Sequence, residues 1–254
     1  MKKIGLFLIS AALFLSCFSV HAEEKEHHFY IKRAEDHLPP STDPAYLSAF
    51  GNDGFYLDSI AAEKGEKVLY LTFDAGYENG NIAKILDVLK EEKVTGAFFV
   101  LSHLIKSQPE LLLRMKEEGH LVCNHTAHHK NMAKMDESAF CEELLALESL
   151  YMEQTGNELA KFYRPPEGTF SVSNLAWARK LGYKTVFWSL MYKDWNDDVV
   201  PEREKAIEIL KKNTHPGAIV LLHPTTARNA DILREMIEYW RAEGYTFGSL
   251  DTIG

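Results

Sequence analysis

The sequence predicts an α/β fold, a single domain in which seven parallel strands close into a distorted (β/α) barrel. Short apolar runs recur at separations of 24 to 39 residues, amphipathic helical patterns lie between them, and polar residues follow several of the runs. Regular alternation of strands and helices is typical of a parallel sheet. The seven runs end near Asp74, Leu101, His125, Arg164, Leu190, His223 and Leu250.

The composition is that of an ordinary globular protein. Of the 254 residues, 46% are hydrophobic, 11% aromatic and 26% charged, which excludes disordered and collagen-like chains. The length suits one α/β barrel, although two small domains are also compatible with it.

The N-terminus has the pattern of a secretory signal peptide over residues 1–22. Two lysines precede an apolar stretch over residues 4–20, and Val20 and Ala22 occupy the small-residue positions of a cleavage site. The mature chain would then begin at Glu23. An uncleaved anchor is the alternative, because 17 apolar residues reach the lower end of the membrane-spanning range. Both interpretations place the protein outside the cytoplasmic membrane, secreted or in the cell envelope.

The charge of the chain disfavours a nucleic-acid partner. Without the two lysines of residues 1–22, 26 basic and 37 acidic residues remain, a net charge of 26 − 37 = −11. No protein partner is inferred.

Cys123 and Cys141 do not form a disulfide framework, and we expect buried free thiols, with one disulfide as the alternative.

The mature chain divides into two parts. Residues 23–66 are polar and rich in proline and glycine, so we expect a segment that wraps the barrel, with regular structure beginning only at Val68. Residues 67–254 form the barrel. Within it, Asp136 is a natural cap for one helix, Pro201 suits the first turn of another, and a third ends before Gly244.

Chemically reactive side chains stand at or just after the ends of five strands. They are Asp74, His125, Arg164, Asp194 and His223. In a closed parallel barrel the carboxyl ends of the strands meet at one mouth, whereas an open sheet would scatter these residues. The barrel therefore explains all five as one site.

Two histidines suggest a metal site. His125 and His129 are four residues apart, and a helical turn at this point would bring both imidazoles to the same side, where they could bind a divalent ion. In a chain with 11 histidines, an accidental pair is the alternative.

An acid and a base can be assigned from the same set. Asp74 ends an apolar strand, and pairing with Arg164 would keep its carboxylate ionised as a base; a helix cap or a purely structural ion pair is the alternative. His223 would act as an acid that Asp194 orients, although a lone histidine at a strand end is often only a satisfied polar residue. Acid and base beside a metal-activated water indicate hydrolysis of an amide or ester.

Five motifs in order carry a family resemblance. They are Thr72-Phe73-Asp74-Ala75-Gly76, His125-xxx-His129, Arg164-Pro165-Pro166-Glu167-Gly168, Asp194-Trp195 and Leu221-Leu222-His223. Together they resemble the motifs of polysaccharide deacetylases, the NodB-homology group or carbohydrate esterase family 4. The runs TFDAGYENG, GYKTVFWS and HPGAIVLLH are most similar to the delta-lactam-biosynthetic de-N-acetylase branch. The resemblance extends over roughly residues 55–253.

The resemblance implies removal of N-acetyl groups from peptidoglycan, at N-acetylmuramic acid whose peptide is absent, as a step toward muramic delta-lactam in the spore cortex. The partner would be the glycan strand. The implied roles are a general base at Asp74, metal ligands at His125 and His129, a general acid at His223, supporting residues at Arg164 and Asp194, an oxyanion contact at the backbone N–H of Glu167, and an acetyl-methyl pocket lined by Trp195 and Leu221.

One position departs from the family pattern. Most members have a second aspartate, a metal ligand, where this chain has Ala75. A divalent metal, usually zinc in the wider family, would therefore be weakly held by two imidazoles, with water or substrate completing its ligands. Glu78 is close enough in sequence to be a substitute, although a loop carboxylate facing solvent explains it more simply. Ala75 also makes a second function compatible with the sequence, that of a catalytically inactive protein that binds cell-wall glycan. The retained base Asp74 and acid His223 favour an enzyme.

Overall fold

The computed structural model of the protein describes residues 25–253. The predicted signal peptide, residues 1–22, and its cleavage site lie outside these described residues. Within residues 25–253, no helix combines the length and the apolar character that crossing a membrane requires.

The described chain alternates strands and helices. The strands are β1 (His27–His28), β2 (Gly54–Phe55), β3 (Val68–Ala75), β4 (Gly96–Val100), β5 (Leu121–Asn124), β6 (Ala160–Tyr163), β7 (Thr169–Phe170), β8 (Lys184–Val186), β9 (Ala218–Leu222) and β10 (Thr246–Phe247). The helices are α1 (Pro44–Phe50), α2 (Ser59–Lys64), α3 (Asn81–Glu91), α4 (Ser102–Ser107), α5 (Pro109–Glu117), α6 (Glu137–Thr155), α7 (Val172–Lys180), α8 (Arg203–Asn213) and α9 (Ala227–Ala242).

The α/β prediction with seven parallel strands in one domain is confirmed. The seven strands are β3, β4, β5, β6, β8, β9 and β10, and their pairings in the main sheet are all parallel. The sheet curls around β3, which pairs with β4 along one edge and with β9 along the other. Beyond β8, Leu190 makes a parallel bridge to Val220 of β9, which continues the curl. Strand β2 extends the sheet beside β8 and is absent from the sequence prediction.

Side-chain alternation along β3 separates two hydrophobic clusters. Leu69, Leu71 and Phe73 pack in an outer cluster against the helices, whereas Tyr70 belongs to an inner cluster. Other strands contribute to the inner cluster through Ala97, Phe99, Cys123, Phe162, Val186 and Ile219. Because side chains alternate between the two faces of a strand, Asp74 lies on the inner face, above Tyr70.

The two cysteines of the described chain are both free, as the sequence analysis favoured. Cys123 is fully buried in the inner cluster, and Cys141 is partly buried on α6.

Two helix boundaries confirm the sequence signals and a third corrects one. Asp136 caps α6 by accepting a hydrogen bond from the Ala139 N–H, and α9 ends at Ala242, before Gly244. Helix α8, however, begins at Arg203 rather than at Pro201. The intervening residue, Glu202, has an extended ψ of 155° and serves as the N-cap, so Pro201 lies outside the helix.

The N-terminal segment is more regular than predicted, because α1 and α2 both precede Val68. Asp43 accepts a hydrogen bond from the Ala45 N–H at the start of α1, which also has Pro44 at its first position, and both are helix-start signals. Strand β1 pairs antiparallel with β7, and the segment buries aromatic rings against the barrel side. The rings in this contact are Phe29, Tyr46, Phe50, Phe170 and Phe187.

Candidate active site

A cavity of about 830 Å³ opens at the carboxyl ends of the strands. The predicted site residues on its wall are Asp74, His125, His129, Glu167, Trp195, Leu221 and His223. Arg164 and Asp194 are fully buried behind this wall, where each contacts one of the lining residues. The structure therefore brings the nine predicted residues together at one mouth.

Asp74 and Arg164 form a buried ion pair at the base of the cavity. Arg164 Nη1 donates to Asp74 Oδ1 over 2.7 Å, and Nη2 donates to Thr72 Oγ1 over 2.9 Å. The guanidinium also donates to the carbonyl oxygens of Val186 and Phe187. A buried charge requires such partners, and these hold Arg164 in a single orientation.

The surroundings of Asp74 keep it ionised. Burial alone would raise the pKa of its carboxyl, but the positive charge of Arg164, together with smaller contributions from His125 and His223, lowers the pKa below its ordinary value. Asp74 therefore carries the free lone pairs that a base needs at neutral pH.

His125 presents an unprotonated nitrogen to the cavity. Its Nδ1 lies 2.9 Å from the carbonyl oxygen of Arg164, which can only accept, so Nδ1 carries the hydrogen. Burial lowers the pKa of His125 to about 4, so the ring is neutral at pH 7. Its Nε2 lies 3.6 Å from Asp74 Oδ2. Because the ring is neutral, this contact is not an ion pair.

His129 joins His125 through a loop, not through the helical turn that the spacing predicted. Thr126 and His129 have left-handed φ values of 73° and 54°, which a helix does not contain. The Asn124 side chain accepts from the Thr126 N–H, and Thr126 Oγ1 accepts from the His129 N–H. The loop nevertheless brings the His125 and His129 rings to a centroid distance of 5.0 Å.

Glu143 on α6 fixes this loop and carries no motif that would reveal it in the sequence. Its buried carboxylate accepts from the backbone N–H and Nδ1 of His128 and from Lys130 Nζ, on both sides of His129. Its carbonyl oxygen accepts from the Ala127 N–H. Burial alone would raise the pKa of Glu143, but these hydrogen bonds lower it, so the anion persists.

His223, which lines the cavity, forms a second pair with the buried Asp194. Asp194 Oδ1 lies 2.8 Å from His223 Nδ1, and Oδ2 accepts from the His223 backbone N–H over 2.8 Å. Burial alone would lower the pKa of His223, but the hydrogen bond and negative charge of Asp194 raise it above its ordinary value. The ring is thus suited to carry a proton into the cavity.

Asn229 at the start of α9 completes this pair, and sequence reasoning missed it. Its Nδ2 donates to Asp194 Oδ2 over 2.6 Å and to the carbonyl oxygen of His223 over 2.9 Å. Tyr192 in turn donates to Asn229 Oδ1 over 2.7 Å. A buried amide on a helix gives no local sequence signal, because its role depends on Asp194 and Tyr192, which are more than 30 positions away.

The remaining predicted residues shape the cavity wall. Glu167 has a left-handed φ of 56° in a tight turn after Arg164, and it lines the cavity. Leu221 is buried at the end of β9, and Trp195 is 45% exposed beside His223, at a ring centroid distance of 6.0 Å. Leu221 and Trp195 contribute apolar surface to the cavity.

Comparison with known proteins identifies the family. A model described as polysaccharide deacetylase matches residues 61–186. The peptidoglycan-N-acetylmuramic acid deacetylase PdaA of Bacillus subtilis is 40% identical over 223 residues, covering 87% of this chain and 83% of that protein. The chain belongs to the polysaccharide deacetylase family. The resemblance stated from the motifs is therefore confirmed.

Solved structures of polysaccharide deacetylases have the same fold. The structure of Bacillus subtilis PdaA, a family 4 carbohydrate esterase, matches with a TM-score of 0.84 and 38% identity, covering 90% of this chain and 97% of that one. A family 4 carbohydrate esterase from Bacillus anthracis matches with a TM-score of 0.73 and 39% identity, covering 90% and 96%. The delta-lactam branch is consistent with the similarity to PdaA.

Polysaccharide deacetylases are metal-dependent. The side chains at the cavity therefore have to include ligands for an ion. Among residues 25–253, no group of three or more His, Cys, Asp or Glu side chains is arranged to hold an ion. Two neighbouring imidazoles do fit one, because His125 is neutral with Nε2 free and His129 lies beside it. Ala75 is fully buried in the outer hydrophobic cluster, and Glu78 accepts a hydrogen bond from the Ile82 N–H at the start of α3.

Proposed function

We propose that this protein hydrolyses the N-acetyl group of N-acetylmuramic acid in peptidoglycan from which the stem peptide has been removed. The observation that carries the proposal is the pair of Asp74 and His223, which line the same cavity. The pKa of Asp74 is lowered and that of His223 is raised, each by a buried partner of opposite charge. A base and an acid held apart in this way are what amide hydrolysis requires. The similarity to a deacetylase of N-acetylmuramic acid supports the choice of sugar.

The reaction follows from the positions of these groups. Asp74 Oδ2 accepts a proton from a water molecule as its oxygen attacks the carbonyl carbon of the acetamido group. His223 donates a proton to the sugar nitrogen as the carbon–nitrogen bond breaks, which releases acetate and a free amine. Arg164 keeps Asp74 ionised and oriented, and Asp194 keeps His223 protonated.

A divalent ion would be held by His125 and His129. When bound, such an ion polarises the acetamido carbonyl and lowers the pKa of water, which makes both partners of the attack more reactive. We propose zinc, weakly held, because the two imidazoles have no third side-chain ligand beside them among the described residues and Ala75 carries no oxygen.

Three further residues have proposed roles at the acetyl group. The backbone N–H of Glu167 would donate to the oxygen of the tetrahedral intermediate, a contact that stabilises charge as it develops. Trp195 and Leu221 would enclose the methyl group of acetate. Their apolar surfaces at the cavity wall support this assignment.

The cellular setting extends the proposal. Residues 1–22 would act as a signal peptide, residues 23–66 would cover the barrel, and residues 67–254 would form the deacetylase unit. The enzyme would act in the cell envelope on the glycan strand. The freed amine could then close on the lactyl carboxylate to give the muramic delta-lactam of the spore cortex.

Mass spectrometry of digested glycan tests this function. Purified peptidoglycan, with and without stem peptides, is incubated with residues 23–254 and divalent metal, and acetate release is measured in parallel. We expect a loss of 42 Da per deacetylated muramic acid, an acetyl group replaced by hydrogen, only in glycan without stems. Binding of the glycan without acetate release, unchanged in the Asp74→Asn variant, would instead identify an inactive glycan-binding protein.

A further inference from the structure

One rim of the cavity is cationic and takes no part in the mechanism above. It is formed by α4, the short helix that follows β4 directly. Two of its exposed side chains, His103 and Lys106, line the same cavity as Asp74 and His223. This rim is therefore within the space that a bound sugar would occupy.

Lys106 has a charge without a partner. Several exposed lysines of the described chain, Lys84 among them, lie beyond 4.0 Å of any carboxylate, and Lys106 is the one of these that lines the cavity. Two acidic residues, Asp74 and Glu167, line the cavity; Arg164 pairs with the first, and no ion pair joins the second to Lys106. An uncompensated ammonium group in a protein of formal net charge −9 favours an anionic ligand at this rim.

An aromatic surface lies on the same rim. The rings of Tyr77 and His103 are 4.5 Å apart with an interplanar angle of 39°, and Tyr77 is 52% exposed. Exposed aromatic side chains of this kind offer flat apolar faces together with polar edges, the combination that suits a sugar ring. The rim therefore provides both packing surface and charge.

The chemistry of the proposed substrate matches this rim. N-acetylmuramic acid carries a lactyl ether on the carbon next to the one that bears the acetamido group, and N-acetylglucosamine has a hydroxyl there. When the stem peptide is absent, the lactyl group ends in a free carboxylate. Since the two substituents are on adjacent carbons, the carboxylate must lie close to the reacting amide, in or at the edge of the same cavity.

We propose that Lys106, with the Tyr77–His103 pair beside it, forms a subsite that binds the free lactyl carboxylate and so selects muramic acid without a peptide. This inference rests on the proposed function and adds the residue that determines specificity. A charge-assisted hydrogen bond is lost when the carboxylate is converted to an amide, which explains discrimination against peptide-bearing glycan.

The test uses two glycans that differ only at the lactyl group, one with the free carboxylate and one with its methylamide. Acetate release by Lys106→Met, Lys106→Arg and the parent protein is measured on both. Lys84→Met, a substitution of an exposed lysine on α3 outside the cavity, is the matched control. Affinity for both glycans is measured by calorimetry, a readout that does not depend on turnover.

For Lys106→Met we expect kcat/KM on the carboxylate glycan to fall about tenfold, mainly through KM, with little change on the methylamide. Lys106→Arg and Lys84→Met should retain the preference, and the calorimetric affinities should follow the same pattern. Equal losses on both glycans, or no loss on either, would overturn the assignment. If the parent protein releases no acetate from either glycan, the proposed function fails, and the calorimetric preference still decides whether Lys106 binds the carboxylate.

Discussion

Arg164 binds one oxygen of Asp74 and leaves the other facing the cavity. Nη1 donates to Oδ1 over 2.7 Å, whereas Oδ2 lies 3.6 Å from His125 Nε2, at the wall where water and substrate would enter. Because Arg164 is also held by Thr72 and two backbone carbonyls, the carboxylate is oriented before any substrate arrives. The base is thus preorganised by groups that never touch the sugar.

Replacement of this carboxylate should affect both catalysis and stability. For Asp74→Asn we expect acetate release to fall about 10³-fold, because the amide cannot accept the proton of water. We also expect the free energy of unfolding to fall by about 3 kcal/mol, because the buried Arg164 loses its counter-charge. Denaturant unfolding and acetate assays check the two effects.

Asp87→Asn serves as the control, since Asp87 pairs with Arg114 at the surface and should lose little activity or stability. Full activity of Asp74→Asn would remove Asp74 from the role of base.

The sequence predicted the ends of β3, β5, β6 and β9 well for a physical reason, whereas β8 ends at Val186 and not near Leu190. A charged residue that ends an apolar run is costly unless it is paired or functional, so Asp74 and Arg164 stood out, and barrel topology placed them together. The residues that hold these groups gave no such signal. Glu143 and Asn229 lie on amphipathic helices where a polar side chain is common, and only tertiary contacts reveal that they are buried.

The His125–His129 pair shows where spacing alone is insufficient. The two rings are adjacent, as predicted, but the backbone between them is a loop with left-handed residues at Thr126 and His129. Local periodicity cannot anticipate this, because the loop is fixed by Glu143, 14 residues beyond His129 in the chain. Two different backbone paths can thus bring the same two side chains together.

Metal removal should be easy and reversible. With two imidazoles as its only proposed side-chain ligands, the ion should be removed completely by dialysis against a chelator, and activity should return on addition of zinc. Elemental analysis before and after dialysis measures the content. His129→Ala should abolish stoichiometric binding, whereas His37→Ala, outside the cavity, should not change it. Retention of one ion through prolonged chelation would demonstrate a third protein ligand.

Loosening the His125–His129 loop should lower the affinity for zinc, even though Glu143 is not one of the proposed metal ligands. For Glu143→Gln we expect about tenfold lower zinc affinity by calorimetry, because the uncharged side chain holds His128 and Lys130 less firmly and leaves His129 less well placed. Glu142→Gln, the exposed neighbour on α6, is the matched control. Equal affinities of the two variants would show that Glu143 does not position the loop.

Asp194 should set the alkaline limit of activity. His223 must be protonated to act as the acid, so kcat/KM falls as pH rises through its pKa, which Asp194 raises. In Asp194→Asn the negative charge is lost and this pKa falls, so the alkaline limb of the pH profile should move to lower pH by at least about one unit. Asp197→Asn, an exposed neighbour, should leave the alkaline limb of the pH profile in place.

An NMR titration of the His223 ring measures the same pKa without catalysis. An unshifted limb together with a lowered ring pKa would show that His223 is not the group that limits activity at high pH, and the acid would have to be sought elsewhere on the cavity wall.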